Sequence, residues 1–250
     1  MKLLLRSLTP SFVRRFLHRL GVFMGDGVVH DQHFLDQGKS LRLLRKLGLQ
    51  PAFALDIGAY HGDWTVHFKS IFPDAKVLMF EPQESKASML RAIAKRYQDS
   101  VLLETCLLGR TDNEIVTFYE METGSSIYAE SSSYARTAVS KPLRALDALL
   151  VAQHLPLPDF IKMDVQGYEM EVLLGAEKAL ANANAVLIEV SLLPINKGCP
   201  LIKDIMDFFD ARGFTLMDVT GISRRNDGVL WQMDVIFLRT TSPYRPAASL

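Results

Sequence analysis

Cysteine is almost missing. Cys106 and Cys199 are the only two in 250 residues, too few and too far apart for a disulfide framework or a zinc spacing, and both read as small buried apolar side chains. Charge of one sign is missing as well. Lys plus Arg and Asp plus Glu each number 28, so the basic footprint that gives nucleic-acid binders most of their non-specific affinity is absent. No apolar run approaches the roughly 18 residues of a membrane-spanning helix. The opening Met1-Lys2-Leu3-Leu4-Leu5-Arg6 is too short for a secretory signal, and a cytoplasmic chain is expected.

The chain does hold a change of rhythm near residue 50. Before it, residues 1–20 carry Lys2, Arg6, Arg14, Arg15 and Arg19 without an acid, while Phe12, Val13, Phe16, Leu17 and Leu20 recur at helical spacing. Such a basic amphipathic helix suits either a peripheral membrane contact or docking on its own domain. A second helix is expected over about 36–47, ended by Gly48. Residues 1–50 therefore read as a helical extension.

From residue 51 to 240, short apolar runs alternate with amphipathic stretches, the mark of βαβ units and a mostly parallel sheet. Strands are expected at 53–57, 76–80, 101–106, 160–164, 185–190, 215–219 and 230–238, and helices at 64–71, 85–97, 146–154, 168–181 and 202–212. The rhythm breaks between Gly109 and Lys141, where a hairpin and a mobile Ser-rich loop, 125–133, are expected; the loop is a candidate lid over donor or acceptor. The last two strands are joined by a turn over 220–229, too short for a crossover helix, so they must pair antiparallel. Residues 241–250 are a C-terminal tail.

The chemistry gathers at strand ends. Asp56-Ile57-Gly58-Ala59-Tyr60-His61-Gly62-Asp63 runs from a strand through a glycine turn into a helix, the shape of a nucleotide-type crevice. It lacks G-x-G-x-x-G, the turn a pyrophosphate needs, and Asp56 would repel one, so a dinucleotide oxidoreductase is disfavoured. Asp56 would suit a ligand ammonium instead. The next strand ends in Glu81-Pro82, an acid able to accept from both hydroxyls of a ribose. An amino acid end joined to a ribose describes S-adenosyl-L-methionine, with Asp56, Gly58, Ala59, Tyr60, Gly62, Glu81 and Pro82 as the candidate donor contacts.

A third such run, Lys162-Met163-Asp164-Val165-Gln166-Gly167-Tyr168-Glu169, puts Asp164 beside the donor strand. Asp164 is the first candidate for the base that takes a proton from the acceptor, and for a donor contact. Glu189 and His61 are the next candidates. Asp234, inside an apolar strand, must be paired or functional. His30, Asp31, His33 and Asp36 lack the register of a metal site, and no metal is expected. Arg224, Arg225 and Asp227 read as surface residues of the last turn, and Ile205-Met206-Asp207-Phe208-Phe209 as core.

Asp56-Ile57-Gly58-Ala59, Phe80-Glu81-Pro82, Leu146-Asp147 and Lys162 to Glu169, in that order, resemble the FkbM family of S-adenosylmethionine-dependent methyltransferases. The likeness spans about residues 52–240. Tyr60 and Gln166 depart from the Asn and Glu that the family often shows. The resemblance implies the class I methyltransferase fold, a Rossmann-like three-layer α/β domain whose seven-stranded sheet has the order 3-2-1-4-5-7-6 with the last strand antiparallel. It also implies methylation of a hydroxyl oxygen on a small-molecule or carbohydrate acceptor. The residues themselves leave the acceptor atom open between oxygen, nitrogen and carbon, and leave open a donor-binding scaffold that performs no transfer.

Overall fold

The computed structural model describes residues 28–30, 36–121, 124–128 and 136–246. The basic segment 1–20 lies outside them, as do residues 31–35 with His33 and residues 129–135 of the Ser-rich loop. In chain order the elements are β1 (Val28–His30), α1 (Gln37–Lys46), β2 (Phe53–Ile57), α2 (Asp63–Ile71), β3 (Lys76–Phe80), α3 (Glu84–Tyr97), β4 (Val101–Glu104) and β5 (Leu107–Gly109). Then come β6 (Ile115–Glu120), β7 (Thr137–Ala145), α4 (Leu146–Ala152), β8 (Phe160–Met163), α5 (Glu169–Leu174), α6 (Glu177–Asn182), β9 (Ala185–Ser191), α7 (Ile202–Asp210), β10 (Phe214–Arg225) and β11 (Leu230–Arg239).

The main sheet has the order β1-β10-β11-β9-β8-β2-β3-β4. Leaving out β1, this is the expected order 3-2-1-4-5-7-6, and β11 is antiparallel to both of its neighbours. The strands β2, β3, β8 and β9 read as nearly continuous apolar runs because helices cover both faces. Phe53, Leu55, Ile57, Ile161, Met163, Ile188 and Phe237 point to the layer of α4 to α7. Ala54, Val77, Phe160, Leu187 and Ile236 point to the layer of α1 to α3. That parity carries over to the polar side chains at the strand ends.

Four expectations need correction. The N-terminal extension is not helical throughout: Val28–His30 pairs antiparallel with β10 and becomes the sheet's eighth strand. The strand expected over 101–106 ends at Glu104, and Leu107–Gly109 joins a second sheet of order β5-β7-β6. The helix over 168–181 is two helices, α5 and α6, broken at Gly175. Most of the turn over 220–229 is strand; β10 runs to Arg225, and its bulges between Leu216 and Asp218, Val219 and Gly221, and Ser223 and Arg224 interrupt the alternation that would betray a strand. Arg225 pairs with Asp227 and Arg224 donates to the Gly228 carbonyl, within the short turn that remains.

The small sheet packs on Leu107, Phe118 and Leu143. Ser126, at the start of the Ser-rich loop, is 2% exposed and its hydroxyl donates to the Gln166 carbonyl at 2.8 Å, so this end of the loop is anchored. Asp147 accepts the N–H groups of Lys178 and Ala179 and caps α6. Among the described residues no helix is long and apolar enough to cross a membrane.

The break between α5 and α6 generates the first prediction. A β-carbon at Gly175 would collide with the Gly109 carbonyl, at the end of β5. Gly175→Ala is expected to destabilise the protein by about 2 kcal/mol or more. Urea denaturation measures it, and an unchanged midpoint would show that the backbone at Gly109 yields freely.

Candidate active site

The face of the sheet that carries Ala54, Phe160, Leu187 and Ile236 also carries Asp56, Lys162, Glu189 and Asp234, because side chains two residues apart share a face. Register then aligns them. Asp56 lies opposite Lys162, Lys162 opposite Leu187, and Glu189 opposite Asp234. Asp164 follows β8 by one residue, with its N–H on the Ile57 carbonyl at 3.0 Å. A cleft of about 270 Å³ opens over this row at the strands' carboxyl ends. Gly58, Ala59, Tyr60, His61, Trp64, Lys162, Asp164, Glu189, Ser223 and Asp234 line it, with Gln37 of α1.

The candidates thus divide. Gly58, Ala59, Tyr60, His61, Asp164, Glu189 and Asp234 share one cleft. Asp56 does not reach it as a ligand contact: it is fully buried, its carboxylate ion-paired to Lys162 at 3.1 Å and hydrogen-bonded by Thr65 Oγ1 at 2.7 Å. Any influence on a ligand passes through Lys162. Gly62 is also set back; it begins α2 in a left-handed conformation, φ 75°, and a β-carbon there would press on Leu90 and Ile93 of α3.

Glu81 stands at the end of β3, 3% exposed, accepting the N–H groups of Tyr60 at 2.8 Å and Gln83 at 2.9 Å. Burial raises its carboxyl from the usual value, against the pull of those two hydrogen bonds. Each oxygen keeps acceptor capacity beyond one backbone bond. The Pro82 carbonyl accepts from Lys141 Nζ at 2.6 Å, which ties β7 to this end of the site. The Tyr60 ring stacks on His61, centroids 3.7 Å apart, with Lys86 Nζ 4.5 Å from the Tyr60 centroid.

Residues 56–216 match the family of the Methyltransferase FkbM domain. The chain belongs to the FkbM methyltransferase family. It is similar to Methyltransferase 1 of Beauveria bassiana, 29% identical over 146 residues, covering 50% of this chain and 59% of that protein. It is also similar to the hexuronic acid methyltransferase AglP of Haloferax volcanii, 27% identical over 152 residues, covering 60% of each. The chain therefore spans about three fifths of the length of these two curated relatives. Among solved structures, the FkbM methyltransferase of Methylobacillus flagellatus superposes with a TM-score of 0.50 at 18% identity, over 82% of this chain and 49% of that one, a likeness of fold.

Several residues in or behind this FkbM-family cleft carry roles that the sequence does not show. Lys162 was legible only as a lysine in an otherwise apolar strand. Its Nζ also donates to the Gly58 carbonyl at 2.7 Å, pinning the glycine turn. Gly58 itself has φ 77°, and a β-carbon there would collide with the Asp164 carbonyl, so glycine is what lets turn and strand end meet. Glu169 accepts the N–H groups of Val165 and Gly167, each at 3.1 Å, and braces the loop after Asp164. Gln232 donates to Glu189 Oε2 at 2.7 Å. Gly221 leaves the space that the Asp234 carboxylate fills. Outside the cleft, Asp36 caps α1 by accepting the Gly38 N–H.

Acids outnumber cations here, and burial sharpens their mutual repulsion. Burial pushes the Glu189 carboxyl up, then Asp164, Asp234 and Glu169 push it further, with Lys162 opposing. Asp234 is pushed up to about 6 by burial and Asp164, again against Lys162. Glu169 is pushed up to about 7, chiefly by burial. Burial by itself would lower the Lys162 ammonium, but Asp56 and Asp164 outweigh it and hold it above the usual value.

Two predictions come from this charge pattern. Lys162→Met strands Asp56 in the interior and is expected to cost about 3–5 kcal/mol, most of it recovered in Asp56→Leu/Lys162→Met. Denaturant titration decides; a single-variant loss below about 1 kcal/mol would refute the pairing. The second concerns pH. A carboxyl raised in the folded state keeps a proton that the unfolded chain has released near pH 4, so its contribution to stability is full below about pH 4. That contribution is lost as pH rises through about 6 for Asp234 and about 7 for Glu169. Asp234→Asn should therefore flatten the decline in stability between about pH 5 and 8 by roughly 1–2 kcal/mol. Parallel pH profiles of variant and wild type would count against the shifted Asp234.

Proposed function

We propose that the chain is an S-adenosylmethionine-dependent methyltransferase that methylates a hydroxyl oxygen of a small or carbohydrate-like acceptor, with Asp164 as the proton acceptor. The observation that carries this reading is the convergence of Asp164, Glu189 and Asp234 with His61 and the Gly58 turn in one cleft. A net-positive donor suits a cleft where acids exceed cations. Trp64, a wall of the same cleft, keeps its indole N–H buried without a partner among the described residues. Family membership supports methyl transfer, and the resemblance to a hexuronic acid methyltransferase supports a carbohydrate acceptor.

When bound, S-adenosylmethionine supplies an electrophilic methyl group on a sulfonium. The turn from Gly58 to Tyr60 and the Glu81 carboxylate are the residues suited to hold it. Lys162 fixes that turn through the Gly58 carbonyl. Asp164, on the cleft floor beside the turn, takes the proton of the acceptor hydroxyl as its oxygen attacks, a role expected to contribute about 10²–10⁴-fold. Glu189 and Asp234, further along the edge, are placed to accept hydrogen bonds from neighbouring acceptor hydroxyls. Holding the oxygen in line at near-attack distance supplies much of the remaining rate.

The test is calorimetry with S-adenosylhomocysteine, followed by transfer of labelled methyl to a panel of mono- and disaccharides. Asp164→Asn should bind S-adenosylhomocysteine within a few-fold of wild type yet lower kcat by about 10²-fold or more. Absence of S-adenosylhomocysteine binding by the folded wild type would sink the reading. Near-normal kcat in the variant would pass the base to Glu189, then His61.

A further inference from the structure

We propose that Gln166 is a positioning residue whose side-chain amide clamps Asp164 and Glu189 into one acid–base unit on the cleft floor. This rests on the assignment of Asp164 as the base. Gln166 Nε2 lies 2.7 Å from Asp164 Oδ1 and 2.9 Å from Glu189 Oε2. An amide nitrogen carries two protons, and here each meets a carboxylate oxygen. The reverse placement would set an amide oxygen against two carboxylates, so electrostatics fixes which end of the amide faces them. Gln232 Nε2 donates to the same Glu189 oxygen, which is held from two sides.

The root of the side chain is as fixed as its tip. Gln166 has φ 53°, a left-handed conformation that most residues with a β-carbon avoid. Three segments maintain it. The Gln166 carbonyl accepts from Ser126 Oγ at 2.8 Å and from Asn196 Nδ2 at 2.7 Å, both residues buried, and the flanking N–H groups of Val165 and Gly167 go to Glu169. The connection between β6 and β7, the connection before α7 and the start of α5 thus converge on one peptide. Its amide joins the end of β8 to the end of β9.

The charges explain why a neutral group stands there. Facing Glu189 are Asp164 from the connection between β8 and α5, Glu169 from the start of α5, Asp234 from β11, and Lys162 from β8, with His61 on the wall of the same cleft. Two carboxyl groups can be held together by a doubly donating amide without adding charge. The clamp holds the Asp164 and Glu189 carboxyl groups at a fixed separation on the cleft floor. A carboxylate in place of the amide would add repulsion to both.

The experiment is a carboxyl ¹³C NMR titration of the full chain without donor, on wild type, Gln166→Glu and Gln166→Asn. The first variant keeps the length and adds a charge. The second suits a left-handed backbone but is one methylene too short to span both acids. The Glu189 midpoint is expected to rise by about one unit or more in Gln166→Glu, since a like charge disfavours ionisation. In Gln166→Asn the Glu189 midpoint should also rise, because the amide that donated to its carboxylate is withdrawn. With a saccharide accepted by the wild type, both variants should lose kcat at unchanged donor KM. Glu189 midpoints unmoved in both variants, with melting temperatures intact, would overturn the clamp. A wild type that fails to bind S-adenosylhomocysteine would overturn methyl transfer instead, while the NMR midpoints still decide the clamp.

Discussion

Asp56 and Lys162 sit directly opposite each other on neighbouring parallel strands, and the cleft is built outward from their buried contact. The ammonium of Lys162 is shared between the Asp56 carboxylate and the Gly58 carbonyl, while Thr65 of α2 takes the other Asp56 oxygen. One ion pair therefore joins the middle of the sheet, the glycine turn and the start of α2. Removing one member of such a pair is costly, whereas an apolar pair of similar volume often does as well. Its value here is geometric: it fixes the turn that the cleft is cut into and leaves a positive charge under three acids.

That positive charge is not enough to neutralise them. Asp56 already claims Lys162, and the next row of the sheet brings Asp164, Glu189 and Asp234 to the same cleft. Like charges directly opposite on adjacent strands destabilise a sheet. The cost appears as carboxyl groups raised by burial and by one another. Neutral neighbours make the arrangement tolerable: Gln166 and Gln232 donate amide protons, and Gly221 gives Asp234 room. Perturbed carboxyl groups gathered in a cleft are what proton-transfer chemistry uses.

The second sheet serves this site without lining it. Ser126 reaches the Gln166 carbonyl and Lys141 reaches the Pro82 carbonyl, so the insertion grips the loop after β8 and the end of β3. The hairpin between β6 and β7 is thus coupled to both ends of the candidate donor site. The Gly175 carbonyl, accepting the Asp147 N–H, ties the end of α5 to the start of α4.

Much of this was legible in the sequence. The alternation of apolar runs and amphipathic stretches placed the strands and helices, the resemblance to the FkbM family implied their order in the sheet, and acids following apolar runs marked Asp56, Glu81, Asp164 and Glu189 as strand-end residues. Alternation within each strand also fixes which side chains share a face. Bulged β10, the edge strand Val28–His30 and the break at Gly175 stayed hidden because local pattern carries no trace of long-range pairing or of a carbonyl approaching from another sheet. The roles of the acids were hidden for the same reason. Sequence by itself determined that an acid ends each of these strands. Only the tertiary structure decided that Asp56 turns inward to Lys162 while Asp164, Glu189 and Asp234 face one cleft, because register between strands distant along the chain is set by packing on both faces of the sheet, not by any one segment.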